Sequence, residues 1–238
     1  MISPGWRWLA IAVLLLVSAG CARLGVWQLS RLHQRRAVNA AILRARVQPP
    51  ISLDQPGRRD SASLAYRRVV GTGRYDRRNE MVLRSQVYLE TPGVYVVTPL
   101  RLEGSDTALL VLRGFVPAPD AVRADLRALD EPGERRVAGL AEPIASGGGR
   151  PLRVEGRSTW ARLDLPALRD ALPYPILPVA LRQAPDSALP RYPRRLDAPT
   201  VDDGPHLNYA VQWFLFSAMG IAFALVVVAR RGGVQRAP

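Results

Sequence analysis

The sequence contains no lysine, so all 33 of its basic residues are arginine. With 20 acidic residues they leave a formal charge of +13. Exclusive use of arginine reflects genome composition more simply than selection for phosphate binding. The arginines are dispersed and form no basic stripe with interleaved aromatics, which argues against nucleic acid as a partner. Beside a bilayer such a surface favours anionic headgroups or acidic partners. The single cysteine, Cys21, excludes an intrachain disulfide. Cys-pair and HExxH metal patterns are absent, as is a P-loop, and the fragment from Gly71 to Asp76 (GTGRYD) lacks the third glycine of a dinucleotide loop. The two histidines, His33 and His206, have no companion GxSxG elbow, so a hydrolase or transferase lacks its nucleophile and base.

What the sequence does have is long apolar stretches at both ends. Tyr209 to Ala229 carries no charge and is followed by Arg230-Arg231. At helical rise it spans roughly 30 Å, the thickness of a bilayer's hydrocarbon core. Tyr209 and Trp213 stand at one end, where amphipathic rings settle among headgroups. A soluble helix of this length needs a polar face, and only Gln212 and Ser217 offer one. Near the N-terminus, Trp8 to Ala22 is a second apolar run, interrupted at Arg23 and resumed to Trp27. Trp8 and Trp27 lie about 29 Å apart on a helix, the separation of two interfaces. A cleaved signal peptide, or a lipoprotein box at Ser18-Ala19-Gly20-Cys21, competes with a retained span. The continuing apolar register past Cys21 favours the span. Arg23 either snorkels to the interface or meets an anionic group.

The expected organisation is a tail over 1–7, a membrane helix over 8–27, an amphipathic helical extension over 28–50, a β-rich domain over 51–205, a second membrane helix over 206–229 and a tail over 230–238. Two spans put both termini on one side. Arg230, Arg231 and Arg236 assign that side to the cytoplasm, leaving the central domain periplasmic on a bacterial inner membrane. Within the domain, short β-type runs cover 66–75, 81–89, 93–102, 108–116 and 135–141. Val122, Leu126 and Leu129, at spacings of four and three, predict a short helix within 120–130. Asp164 before Pro166 predicts a capped helix start, and the prolines at 173, 175 and 178 predict an extended stretch. The fold class expected is two transmembrane α-helices flanking a mainly antiparallel β domain, of a kind that can close into a barrel, with one or two helices.

Several pieces together resemble the SURF1 (surfeit locus protein 1) family. They are Leu24-Gly25-Val26-Trp27-Gln28-Leu29 with Arg31, then Tyr66-Arg67-Arg68-Val69 with Gly71 and Gly73, then Gly93 to Leu100 (GVYVVTPL). Val111 to Pro117 (VLRGFVP) is similar to the family's RGW-type motif, with Phe115 where Trp is usual. Trp160-Ala161-Arg162-Leu163-Asp164 and His206 to Phe214 (HLNYAVQWF) complete the series. Each piece is weak alone, but their order between two apolar segments is specific and covers almost the whole chain. The resemblance implies a biogenesis factor for haem-copper cytochrome c oxidase that acts where haem a reaches the catalytic subunit. The implied partners are that subunit and haem a synthase, beside membrane lipid.

The residues themselves point the same way. On a helix, His206, Tyr209 or Ala210, and Trp213 share a face that Ser217, Gly220 and Ala224 continue. Small residues there admit either another helix or a flat macrocycle. Neutral imidazole suits haem iron, and Arg23 and Arg31 are charge-assisted partners for propionates. The candidate cofactor-binding set is therefore His206, Tyr209, Trp213, Trp27, Gln28, Arg23 and Arg31, with His206 as iron ligand to haem a held transiently. The bland alternatives are an interfacial, water-bound His206 and simple headgroup anchors at Trp27 and Trp213. Arg113 and Gly114 read as serving the domain's fold. A haem-holding assembly factor and a cofactor-free membrane-anchored scaffold both remain open, with a membrane enzyme the remote third.

Overall fold

The structure, a computed structural model, describes residues 4–55 and 59–229. The start of the expected N-terminal tail, and the expected C-terminal tail with Arg230, Arg231 and Arg236, lie outside the described residues. The chain divides into two compact units, Met1–Ala41 with Val201–Pro238, and Ile42–Thr200.

The first unit is a helix pair. Helix α1 runs unbroken over Pro4–Val47, so the apolar run and its arginine-rich extension are one helix. It stops before Pro49-Pro50, since proline disfavours helical backbone in the residue before it. Helix α4 covers His206–Ala229. Along α1, Ser18, Gly25, Leu32 and Asn39 are buried at heptad spacing, and along α4 so are Ala210, Ser217 and Ala224. This is the repeat with which two helices keep one seam in contact. The residues on it are mostly small, which lets the backbones approach closely. A Cβ at Gly220 would come within 2.2 Å of Ser18 Oγ. The face of α4 that the sequence left open to a helix or a macrocycle is thus taken by α1.

The large apolar residues point the other way. Leu16 is 73 % exposed and Phe223 63 %. A soluble helix buries such side chains; these two would strand them in water. Both α1 and α4 are long and apolar enough to cross a membrane, each with an 18-residue window of mean hydropathy 2.2.

The second unit is built on nine strands. They are β1 (Ile51–Ser52), β2 (Arg68–Tyr75), β3 (Met81–Tyr88), β4 (Thr91–Leu102), β5 (Ala108–Pro117), β6 (Glu134–Pro143), β7 (Leu152–Val154), β8 (Arg157–Trp160) and β9 (Ile176–Gln183). Two short helices, α2 (Ser61–Leu64) and α3 (Leu165–Ala171), accompany them. The sheet order is β1-β2-β6-β9-β5-β4-β3-β8-β7, and a further pairing of β2 with β4 closes β2, β6, β9, β5 and β4 into a five-stranded barrel. Pairing is mainly antiparallel; β5 runs parallel to β9, β3 to β8 and β1 to β2. All five barrel strands feed one core, with Val69, Leu100, Leu109, Val111, Val137 and Leu181 among its members. Leu110 and Leu112 of β5 face a second core with Trp160 and Leu168. Successive strand side chains point to opposite faces, so the uninterrupted run Leu109 to Leu112 is a strand buried on both.

One expectation requires correction, and a second is exceeded. The segment 120–130 is not a helix of any length; only a 3-10 turn forms, at Arg127–Leu129. Asp120 accepts from the backbone N–H of Val122 and Arg123, and Asp125 from that of Arg127. Such side chains offer the backbone a turn in place of a helical ladder. Leu126 and Leu129 are buried all the same, in the core formed with Val82, Val94 and Val96. The extended stretch read from its prolines is more than extended: β9 is a central barrel strand with Pro178 inside it, hydrogen-bonded to both β5 and β6. The capped helix stands where the sequence put it, with Asp164 accepting from Ala167 N at 3.1 Å.

Candidate functional site

Within the helical unit, the imidazole of His206 in the first turn of α4 meets the amide of Gln28 on α1, Nδ1 to Oε1 at 2.9 Å. With the amide oxygen facing the ring, the contact suits the tautomer in which Nδ1–H donates and the lone pair stays on Nε2. That is the arrangement by which a neighbour fixes a histidine's tautomer and frees the other nitrogen for a metal. His206 is half-buried, and Gly204 of the preceding loop lies against its Nε2 edge, where a Cβ would sit 3.8 Å from Nε2.

Beside the pair is a cleft of 480 Å³ lined by Arg31, Gln34, Arg35, Asp202, Asp203 and His206 among others. Its far wall is the loop that leads into α4, held down by the extension of α1. Asn39 Nδ2 donates to Asp202 O at 2.7 Å and to Asp203 Oδ1 at 3.0 Å, and Arg36 Nε donates to Asp203 Oδ2 at 2.8 Å. The Arg36 hydrogen bond, with the help of Asn39 and against slight burial, holds the Asp203 carboxyl below its ordinary range. Arg35 Nε donates to Asp202 O at 3.3 Å, and among the described residues the one partner of the Arg31 side chain is Gln34 Oε1 at 3.1 Å. The cleft therefore offers a metal-capable nitrogen, two arginines with no carboxylate partner among the described residues, and two carboxylates: Asp203, neutralised by Arg36, and Asp202, which accepts from Gly204 N–H at 2.8 Å.

Of the residues singled out from sequence, the fold brings together His206, Gln28 and Arg31. Trp213 is half-buried on the same face of α4, its ring edge-on to Phe216 at 6.0 Å. Tyr209 is exposed. Arg23 and Trp27 are exposed too, and by helical periodicity Arg23 lies across α1 from the Gly25–Gln28 seam. His33 is exposed and absent from the cleft lining. Asn39 and the Asp202-Asp203-Gly204 loop escaped the sequence reading, and Arg36 was read only as part of the amphipathic extension; the turn-forming DDGP just before a helix was the signal that could have found the loop.

In the β unit, the RGFVP segment has a structural explanation. Arg113 is fully buried and donates to Glu80 Oε2 at 3.2 Å and Glu131 Oε1 at 2.7 Å; Arg195 donates to the same Glu131 oxygen at 2.6 Å. Thr98 Oγ1 adds a bond to Glu80 at 2.8 Å. Burial alone would raise the Glu131 carboxyl, but the bonds and charges of Arg113 and Arg195 overcome it and hold the group below its usual range. Gly114, at φ +144°, leaves room for the backbone of Arg194, whose carbonyl would be 2.3 Å from any Cβ there. Phe115 and Arg194 exchange backbone hydrogen bonds at 2.8 Å in each direction. Arg113 and Gly114 thus tie the returning segment to the barrel, as the sequence suggested.

Comparison with known proteins agrees with this architecture. The sequence pattern of the SURF1 family matches residues 15–218. A "SURF1-like protein" of Monosiga brevicollis is 28 % identical over 228 residues, covering 88 % of this chain and 84 % of that one.

Proposed function

The chain belongs to the SURF1 family, and from that premise we propose that it is a membrane-anchored assembly factor for haem-copper cytochrome c oxidase rather than an enzyme. It assists haem a insertion into the catalytic subunit by holding haem a transiently through His206. The observation that carries this reading is the Gln28–His206 bond at 2.9 Å, which leaves Nε2 free beside a polar cleft. The donor set fits the cargo: imidazole ligates haem iron, and arginine forks match propionate carboxylates. Arg31 and Arg35 are the cleft residues suited to the propionates, and Asp203 is screened from them by Arg36. Haem a would supply the redox iron to the oxidase; this chain's part is to orient it and release it.

In this account α1 and α4 cross a bacterial inner membrane with both termini cytoplasmic, and the barrel domain lies in the periplasm. The partners are the oxidase catalytic subunit, haem a synthase and surrounding lipid. A second reading, a scaffold without cofactor, draws on one observation. The small-residue face of α4 is covered by α1, which removes the broad flat surface a macrocycle could have lain on. Complementation separates the two. In cells lacking this protein, the parent restores haem a content of the oxidase. Under the haem-holding account His206→Ala does not; under the scaffold account it restores it fully.

A further inference from the structure

The barrel unit has a second polar cleft, of 360 Å³, between the Arg77–Asn79 turn, the β7–β8 hairpin and the end of α3. Arg77, Arg78, Arg153 and Arg157 line it, with only Glu80 and Glu155 to balance them. Both carboxylates already have arginine partners. Glu80 is buried and held by Arg113, Thr98 and Arg77. Glu155 pairs with Arg123 at 2.9 Å. Among the described residues Arg78, Arg153 and Arg157 have no carboxylate partner, and the one side-chain hydrogen bond of Arg157 is a long 3.5 Å contact to Ala124 O.

The second observation is at the wall. Trp160 is 1 % exposed, and its indole Nε1–H has no acceptor among the described residues. A buried donor without a partner forfeits the hydrogen bond it had in water, and such groups are uncommon in folded proteins. Three guanidinium groups with no carboxylate partner surround a cleft that Trp160, with its orphaned N–H, also lines, which gives the cleft an excess of donors over acceptors. Arginine forks match the oxygens of carboxylate and phosphate groups.

We propose that this cleft binds a compact oxyanion, a phosphate or carboxylate group, with Arg78, Arg153 and Arg157 as its charge partners and Trp160 as an inner donor. Two sources share that chemistry, a free anion and an acidic side chain of a docked protein.

The test uses the full-length protein in detergent, labelled at the indole nitrogens. It has five tryptophans, and Trp160→Phe identifies the signal of interest. Inorganic phosphate and a tetraglutamate peptide are titrated separately at constant ionic strength. The expected result is a saturable shift of the Trp160 signal, with affinity about tenfold or more weaker in an Arg78→Gln, Arg153→Gln double variant. Arg74→Gln, exposed and outside the cleft, keeps the parent's affinity. A stronger response to the peptide identifies the source as a protein acid; a stronger response to phosphate identifies a free anion. No saturable shift from either probe, or equal affinity in the double variant, overturns the site. Should Trp160→Phe fail to fold, calorimetric titration of parent and double variant gives the same decision.

Discussion

The amide of Gln28 and the imidazole of His206, on two helices far apart in sequence, meet at 2.9 Å. The contact suits the tautomer with the proton on Nδ1, and a metal-bound histidine depends on such a neighbour for its orientation and basicity. Gln28→Leu keeps the bulk and removes the acceptor. Haem affinity of the detergent-solubilised protein is expected to fall about 10- to 100-fold, the usual effect of losing such a support. Titration of haem into parent and variant, followed by absorbance, checks it.

The seam between α1 and α4 yields a prediction that does not depend on haem. A Cβ at Gly220 would come 2.2 Å from Ser18 Oγ, whereas one at Gly20 would meet nothing within 4 Å. Gly220→Leu should destabilise the helix pair by about 1–3 kcal/mol, the usual result of overpacking. Gly20→Leu should leave it unchanged. Melting temperatures of the two variants in one detergent decide.

Inside the barrel unit, Arg113→Met removes one cation and leaves Glu80 and Glu131 buried beside it. Breaking a buried pair from one side costs up to about 3–5 kcal/mol when the remaining charge is left alone. Here Arg195 still holds Glu131 and Arg77 still holds Glu80, so a loss toward the low end, about 2–3 kcal/mol, is expected. Denaturant unfolding followed by the near-ultraviolet signal of Trp160 should show that loss. A change under about 1 kcal/mol would mean that the carboxylates find other partners.

The same cluster sets a pH dependence. Glu131 is held below its ordinary range in the folded state, so its contribution is complete above the unfolded carboxylate range. It is lost as pH falls through that range and on through the lower folded value. Stability of the barrel unit should therefore be level near neutrality and fall on acidification, with a shallower fall in Glu131→Gln. Melting temperature against pH for the two proteins measures it.

Much of this was legible in the sequence, for local reasons. The uncharged run ending at Ala229 and the alternation along 93–102 each carry their own period, so α4 and β4 could be placed before any contact was known. The face of α4 through Ala210, Ser217 and Ala224 was equally visible, but one helix cannot say whether its small residues receive a helix or a ring. Pro178 concealed β9, since proline usually marks an edge and not the middle of a barrel. The pairs Arg113 with Glu131 and Asn39 with Asp203 were unreadable, because side-chain partners brought together by barrel closure or helix pairing leave no spacing in the chain. The helix read into 120–130 failed for the opposite reason: the leucine spacing was real, but Asp120 and Asp125 gave the backbone a closer partner.

The central claim is that His206 holds haem a. The most direct measurement is the visible spectrum of the full-length protein purified in mild detergent from a haem a-producing host, beside His206→Ala. The account predicts a Soret band in the parent that is lost or shifted in the variant. A folded parent carrying no haem, or haem retained equally by both proteins, would contradict it.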